Sequence, residues 1–325
     1  MKNKLWFIGE HAPLSSYTLN TQADSHSDFI PTLWASRALA FFHQNAIMAG
    51  LVNQDYKQEI QNLGDTVNVQ IFNNLVANTK LPDTPVTKQT AQGKKVPVTL
   101  SYHKEATFLV EDVLGAQAKL DIVDGYMRKA AIALANDVDS VLTAQYANVG
   151  TSMTVGTGAT AMTEALILSG RRKLNMMEVP YEDRHIVVPD FEDMLKVDRF
   201  TANDKLGSSV AIRTGQIGMI HGFRVYEDPR IWNLVGSGGA VHNLMFHRDG
   251  ILFVTRPLPL PPADSGTKGI YMEMDGVGFR LLYSYDNDYL ATKITVDVLY
   301  GVKVVHHPTD QTIYKAPLID IQTNN

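Results

Sequence analysis

Residues 120–141 read LDIVDGYMRKAAIALANDVDSV, the most strongly periodic stretch of the chain. Apolar side chains recur there at helical spacing and form one stripe. The stripe consists of Leu120, Val123, Met127, Ala130, Leu134, Val138 and Val141. Charged side chains such as those of Asp137 and Asp139 are expected mostly on the other sides. The pattern predicts a helix over about residues 116–146, ~45 Å long at ~1.5 Å per residue and well above the mean helix length.

Two alternating runs upstream of this helix predict half-buried strands at residues 65–71 and 96–102, and a third apolar patch lies at residues 108–110. The connection between the two runs, residues 72–95, is rich in Asn, Thr, Pro, Gln and Lys. Hairpin loops usually take about two to five residues, and long polar connections are uncommon in compact domains. We therefore expect a long extended hairpin that reaches away from the body.

The N-terminal region, residues 1–60, combines a polar lead with a dense apolar patch that includes Phe29 and Trp34. An amphipathic helix over about residues 32–49 is one interpretation of the patch, and an arm that docks on a neighbouring subunit is the other. The apolar run at residues 5–8 is too short for a signal peptide. The chain has no apolar run long enough to suggest a membrane span.

Downstream of the long helix, the sequence predicts a mixture of short elements. Thr163 is expected to cap a helix over residues 163–175, and a second helix is expected from Asp190 to about residue 197. Short strands are predicted at residues 185–188, 219–226, 244–254, 270–274, 279–283, 292–299 and 302–306, with an exposed turn at 256–262. Strands and helices neither alternate regularly nor separate fully, so the predicted class is α+β.

Composition excludes several kinds of chemistry. The 325 residues suffice for roughly two domains, and none of them is cysteine. Disulfides, cysteine-ligated zinc, iron–sulfur clusters and thiol catalysis are therefore excluded. The net charge of −5 argues against a free nucleic-acid-binding protein, which usually carries a basic excess.

Fragments that resemble active-site motifs lack the context that those motifs need. The glycines at residues 215–218 precede a predicted strand rather than link a strand to a helix. The triplet at residues 247–249 copies a kinase catalytic loop but is followed by another strand. Adjacent His306 and His307 would point to opposite faces of a strand. We therefore predict no catalytic residue, no cofactor site and no metal site, and hence no enzymatic activity.

Segments spread over nearly the whole chain carry a family resemblance. They are residues 29–34, 52–56, 64–67, 96–100, 121–131, 185–191, 217–226 and 296–301. Taken in this order, they resemble the major capsid proteins of tailed bacteriophages with the Hong Kong 97-type fold. The resemblance implies an N-terminal arm (residues 1–60), an E-loop (61–112), a P domain (113–149 and 270–300) built on a spine helix at about 116–146, and an A domain (150–269 and 301–325).

The resemblance also implies a function. Such subunits assemble as pentamers and hexamers into an icosahedral virion capsid around double-stranded DNA, without sequence-specific binding. Folding and assembly in the host cytoplasm are expected, with no membrane and no cofactor. The expected partners are other copies of the chain, a scaffolding protein, a portal and a cement or decoration protein. Many relatives carry a long scaffolding segment before the arm, so a separate scaffolding protein or an already cleaved form is expected here.

The expected inter-subunit contacts lie on the arm and the hairpin. They are Phe29, Trp34, Phe72, Lys80, Lys88, Lys94 and Lys95. Two alternatives stay open at this point. The first is an encapsulin-type nanocompartment, whose shell has the same fold but an enzyme cargo. The second is a soluble α+β enzyme with an unrecognised site, which should be a compact monomer or small oligomer with a deep polar pocket.

Overall fold

A computed structural model gives the architecture of the chain. It describes residues 46–55, 66–72, 75, 77–89, 93–111, 121–190, 216–234, 239–256, 258–262, 265–274, 277–305 and 317–324. Within these ranges, helices and strands are mixed, and strands predominate. The predicted α+β class is therefore confirmed. Phe29 and Trp34 lie outside the described residues, and so does the helix predicted beyond Asp190.

The described elements are two α-helices, thirteen strands and several short 3-10 helices. The α-helices are α1 (Asp121–Thr143) and α2 (Glu164–Met176). The strands are β1 (Thr66–Phe72), β2 (Gly93–Thr99), β3 (Tyr102–Glu111), β4 (Thr154–Val155), β5 (Arg184–Val188), β6 (Gln216–Ile220), β7 (Phe223–Glu227), β8 (Val241–His247), β9 (Ile251–Arg256), β10 (Lys268–Met274), β11 (Val277–Asp286), β12 (Ala291–Val304) and β13 (Leu318–Thr323). The 3-10 helices are Met48–Leu51, Ala144–Asn148, Thr151–Met153, Pro229–Leu234 and Arg248–Gly250.

Helix α1 packs against a five-stranded sheet. The strand order is β10-β11-β12-β3, and β9 pairs with another part of β12. Met127, Leu134 and Val138 of α1 belong to the same buried cluster as Val296 and Val298 of β12. Each fully buried aliphatic side chain contributes about 1.5–3 kcal/mol, so this contact is a main source of stability. The apolar stripe read from the sequence is the face of α1 that packs.

The second large sheet has six strands, with both parallel and antiparallel pairs. Its order is β4-β13-β8-β5-β7-β6, in which β5 pairs with β7 and β13 with β4 in parallel. Helix α2 covers it through Ile167 and Leu174, which share a buried cluster with Met245 and Ile319. Thr163 caps α2 by accepting a hydrogen bond from the Leu166 amide, as predicted.

The structure corrects four details of the sequence interpretation. The strand predicted at residues 219–226 is two strands, β6 and β7, separated by a turn at residues 221–222. The strands predicted at residues 292–299 and 302–306 are one continuous strand, β12, because Gly301 keeps its extended pairing with Val254 of β9. The strand predicted at 244–254 is interrupted by the 3-10 helix Arg248–Gly250. Asp139 is not on an exposed side of α1 but fully buried.

The ends of α1 and the strand pairings bear on the predicted domains. Helix α1 runs over Asp121–Thr143 and continues as a 3-10 helix to Asn148, while residues 116–120 lie outside the described residues. Strand β3, within the predicted E-loop range 61–112, pairs with β12. Strand β9, within the predicted A-domain range, pairs with β12 as well. The domain boundaries stay predictions.

Buried His185 gives the six-stranded sheet a predictable pH dependence. Its ring lies 5.7 Å from those of Tyr226 and Phe246, and its Nδ1 is buried with no partner among the described residues. Burial, assisted by nearby Arg224, lowers the pKa of His185 to about 4. The unfolded chain, with an ordinary pKa of ~6.5, therefore binds the proton first as pH falls.

We expect the contribution of neutral His185 to stability to be present above pH ~6.5 and to be lost as the pH falls toward ~4. The full loss is about 3 kcal/mol of unfolding free energy. Urea unfolding of the unassembled chain at neutral and acidic pH measures it. The variant His185→Leu should show a smaller acid-induced loss than the wild type. An identical pH profile for the two proteins would contradict this assignment.

Candidate subunit interface

Strands β1 and β2 form a two-stranded antiparallel ribbon apart from both sheets. The pairing runs from Thr66 opposite Thr99 to Phe72 opposite Gly93. Val69 and Val98 are completely buried at the base of the ribbon. Successive strand residues point to opposite faces, which explains the alternation seen in the sequence. The two strands predicted at residues 65–71 and 96–102 are confirmed, although the second ends at Thr99.

The ribbon base is anchored in a small apolar core of its own. Val67, Val69, Val98 and Leu100 pack with residues from β9 and with Val305. The backbones of β2 and β12 also meet directly, because a Cβ placed on Gly301 would lie 2.5 Å from the carbonyl oxygen of Thr99. Only a glycine permits that approach. The direction in which the ribbon leaves the body is therefore fixed by packing.

The tip of the ribbon, in contrast, is open to solvent. Every residue of 77–89 is exposed. Three of the exposed tip residues are large and apolar: Leu75, Leu81 and Val86, each more than 60% exposed. A turn at residues 81–84 shapes the tip: the Thr84 hydroxyl donates a 2.8 Å hydrogen bond to the Leu81 carbonyl oxygen. Burial of these exposed aliphatic side chains against another protein would be favourable.

Five of the predicted contact residues lie on this ribbon. Lys80 and Lys88 are exposed on the tip, and Lys95 is exposed on β2. Phe72 and Lys94 are placed by backbone pairing alone, opposite Gly93 and Ile71. Their side-chain environments are not described. The ribbon thus brings these five residues onto one projection, and their contact roles stay predictions.

The three apolar tip residues were not among the predicted contacts. The available signal was the spacing of single large aliphatic residues through an otherwise polar loop. Charge is the other property of the ribbon. Over residues 66–99, four lysines stand against one aspartate, whereas the whole chain has a net charge of −5. A positive ribbon on an acidic body favours contact with a second acidic surface.

The segment 46–55, which lies within the predicted arm range 1–60, is also fixed to the body. Asn53 lies alongside β9, where its amide donates to the Ile251 carbonyl at 3.1 Å and its carbonyl accepts from the Phe253 amide at 2.9 Å. The Asn53 side chain donates to Asp249 at 2.6 Å. Residues 46–55 therefore have a defined path along the body.

Two histidines singled out in the search for site residues, His242 and His247, have structural partners. His242 contacts Asp320 at 2.9 Å and stacks on Tyr146. In the triplet at 247–249, the Asp249 amide donates to His247 Nδ1 within a 3-10 turn. Among the described residues, no group of three or more His, Asp or Glu side chains is placed to hold a metal. No helix found there is long and apolar enough to cross a membrane.

The architecture can be compared with that of known proteins. No protein-family model and no curated protein matches the sequence. Solved structures do match. A chain from the capsid of Ralstonia phage GP4 has a TM-score of 0.61 at 12% identity, covering 86% of this chain and 88% of that one. A chain of Mycobacterium phage Che8 has a TM-score of 0.57 at 21% identity, covering 85% and 90%. A chain from the capsid of cyanophage P-SCSP1u has a TM-score of 0.52 at 14% identity, covering 81% and 84%.

The protein has the fold of phage capsid subunits. The resemblance noted in the sequence is confirmed at the level of the fold. Because each of these matches covers more than four fifths of the chain, the capsid fold accounts for most of the molecule rather than for one sheet.

Proposed function

We propose that this protein is the major capsid protein of a tailed bacteriophage. It assembles as pentamers and hexamers into an icosahedral shell that encloses a double-stranded DNA genome. The observation that carries the proposal is the ribbon. Its base is buried in the body through Val69 and Val98, and its tip exposes Leu75, Leu81 and Val86. Together with the capsid fold, this geometry supports a subunit built to overlap its neighbours.

A closed shell follows from contacts of this kind. Each copy extends a ribbon and receives one, so the contact joins different surfaces on the two copies. Such heterologous contacts close into rings when the rotation between copies is correct. Several weak contacts per subunit add up, since a subunit detaches only when all of them break together. The shell can therefore be stable without disulfides, which the sequence excludes.

The contents and partners of the shell belong to the same proposal. A chain with a net charge of −5 suits a wall that surrounds DNA without binding particular sequences. The protein acts in the virion capsid after assembly in the host cytoplasm. A scaffolding protein, a portal and a cement or decoration protein are its proposed partners besides other copies of itself. It needs no cofactor and catalyses no reaction in this role.

Substitutions at the ribbon tip test the proposed assembly. We expect the triple variant Leu75→Ser, Leu81→Ser, Val86→Ser to fold normally but to need at least ~10-fold more protein for assembly. Burial of one such side chain contributes about 1.5 kcal/mol or more, and ~1.4 kcal/mol corresponds to a factor of ten. Size-exclusion chromatography and negative-stain electron microscopy over a concentration series measure assembly. Thermal unfolding of the unassembled chain reports folding.

The matched control keeps the loop and changes only polar residues: Asn78→Ser, Thr79→Ser and Thr87→Ser, all exposed. It should assemble like the wild type. Assembly of the apolar triple variant at wild-type concentration would remove the ribbon contact from the proposal. A stable wild-type monomer at every concentration, with or without a scaffolding protein, would refute a shell function. Small uniform cages that close unaided around protein cargo would favour the encapsulin alternative.

A further inference from the structure

A buried charge cluster joins α1 to the 3-10 helix Pro229–Leu234. Arg230 lies between two carboxylates: its Nη2 is 2.9 Å from Asp139 Oδ2, and its Nε is 2.6 Å from Asp228 Oδ1. Both carboxylate side chains are 0% exposed. Arg230 also donates to Asn136 of α1 at 2.9 Å. The guanidinium, whose side chain is 15% exposed, thus holds the two elements together at the edge of the core.

Asp139 also binds the segment 46–55. It accepts hydrogen bonds from three successive backbone amides, those of Ile47 at 2.7 Å, Met48 at 3.1 Å and Ala49 at 3.3 Å. These amides lie at the N-terminal end of the 3-10 helix Met48–Leu51, so a side chain of α1 caps a helix that lies far away in sequence. Each oxygen of Asp139 therefore faces hydrogen-bond donors.

The charges in this cluster do not balance. Segment 46–55 contributes only backbone amides to Asp139, α1 contributes neutral Asn136, and the Pro229–Leu234 side contributes Asp228 and Arg230. Neighbouring Asp137 faces the five-stranded sheet, where it pairs with Lys104. Two ionised carboxylates against one guanidinium would leave a buried negative charge, which is strongly unfavourable.

Burial accordingly raises the pKa of Asp139 to about 7, against the opposing effect of Arg230, and Asp228 raises it further. Two coupled carboxylates titrate as a pair, so the proton belongs to the pair rather than to one residue. The geometry beside it is an unsatisfied acceptor: Asp228 Oδ2 is buried and has no hydrogen-bond partner among the described residues.

We propose that Asp139, Arg230 and Asp228 form a proton-holding latch that fixes segment 46–55 to α1. One proton, shared within the buried pair of Asp139 and Asp228, neutralises the cluster and keeps the segment in place. Loss of that proton leaves a net negative charge in the cluster and loosens the segment.

The direction of the pH effect follows from linkage. The closed latch retains its proton up to pH about 7. Once the segment is released and water enters, the carboxylates ionise near their ordinary pKa of ~3.9. Between these limits the closed state binds more protons than the open state. The equilibrium constant for opening therefore rises by up to ~10-fold per pH unit from pH ~4 to ~7 and then levels off.

Hydrogen–deuterium exchange of the full-length chain tests the latch. The peptide that covers residues 46–55 is followed from pH 5 to 8, with rates corrected for the intrinsic pH dependence of exchange. In the wild type, protection should fall by up to ~10-fold per unit and flatten near neutrality. Asp228→Asn imitates the protonated carboxyl, so protection should persist across the range. In Asp139→Asn, the NH2 group of the new side chain would replace an acceptor oxygen and face N–H donors. Protection should therefore be lost at every pH.

Asp288→Asn, in an exposed turn, is the matched control and should keep the wild-type profile. A flat wild-type profile, or a wild-type slope retained in Asp228→Asn, would overturn the latch. Equal protection in Asp139→Asn and Asp228→Asn would overturn the role of Asp139 as the acceptor that holds the segment. Circular dichroism checks that each variant folds. If Asp139→Asn does not fold, the wild-type and Asp228→Asn profiles still decide the proposal.

Discussion

Replacing Gly301 by valine is expected to destabilise the unassembled chain by about 3 kcal/mol or more, because the substitution overpacks a backbone contact. A Cβ at residue 301 would lie 2.5 Å from the Thr99 carbonyl oxygen and 3.3 Å from the Leu100 Cα. Neither neighbour is a flexible side chain, so one of the two strands has to move. The ribbon base would then separate from β12, and assembly would fail with it.

Chemical unfolding of the unassembled chain measures the loss, and electron microscopy shows whether shells still form. Gly125→Ala is the control. Gly125 lies on the exposed side of α1 with no atom near the position of a new Cβ. Alanine is favoured over glycine in a helix by up to ~1 kcal/mol, so this variant should be more stable than the wild type. A Gly301→Val protein as stable as the wild type would show that the ribbon base is not close-packed.

The second large effect is expected at Arg184, a buried guanidinium at the end of β5. It donates to the Val179 carbonyl at 2.6 Å, the Pro180 carbonyl at 2.7 Å and Asn175 Oδ1 at 2.9 Å. These acceptors lie at and just beyond the C-terminal end of α2. Arg184→Met leaves them without a donor, and each unsatisfied buried group costs about 1–3 kcal/mol. We expect a loss of about 3–5 kcal/mol of unfolding free energy.

The matched control for this variant is Arg172→Met, because Arg172 is exposed on α2. It should change stability by less than about 0.5 kcal/mol. Thermal and urea unfolding, read by far-ultraviolet circular dichroism, compare the two variants. A small loss in Arg184→Met, similar to that in Arg172→Met, would mean that water replaces the guanidinium and that α2 does not depend on it.

Local periodicity predicted the parts of the fold that depend on one surface. The stripe on α1 could be read because Met127, Leu134 and Val138 all meet the same sheet. The ribbon strands could be read because one face is buried at the base. The continuity of β12 could not be read, because Gly301 looks like a break until the backbone of Thr99 is placed against it.

Features that depend on contacts between distant parts of the chain could not be predicted from the sequence. The charge of Asp139 suggested an exposed position, yet its partners come from residues 47–49 and from Arg230. The length and polarity of the loop revealed the ribbon, but the exposure of Leu81 and Val86 needed coordinates. Local patterns show what a residue prefers, and only the fold shows which partners can override the preference.

Adjacent residues of β12 join the ribbon to α1. Tyr300 points toward α1, where its hydroxyl donates to Asp137 at 2.8 Å, and Gly301 meets Thr99 at the ribbon base. A single peptide unit thus separates the two contacts. The ribbon base and the longest described helix are therefore held by consecutive residues of one strand, with no loop between the two contacts.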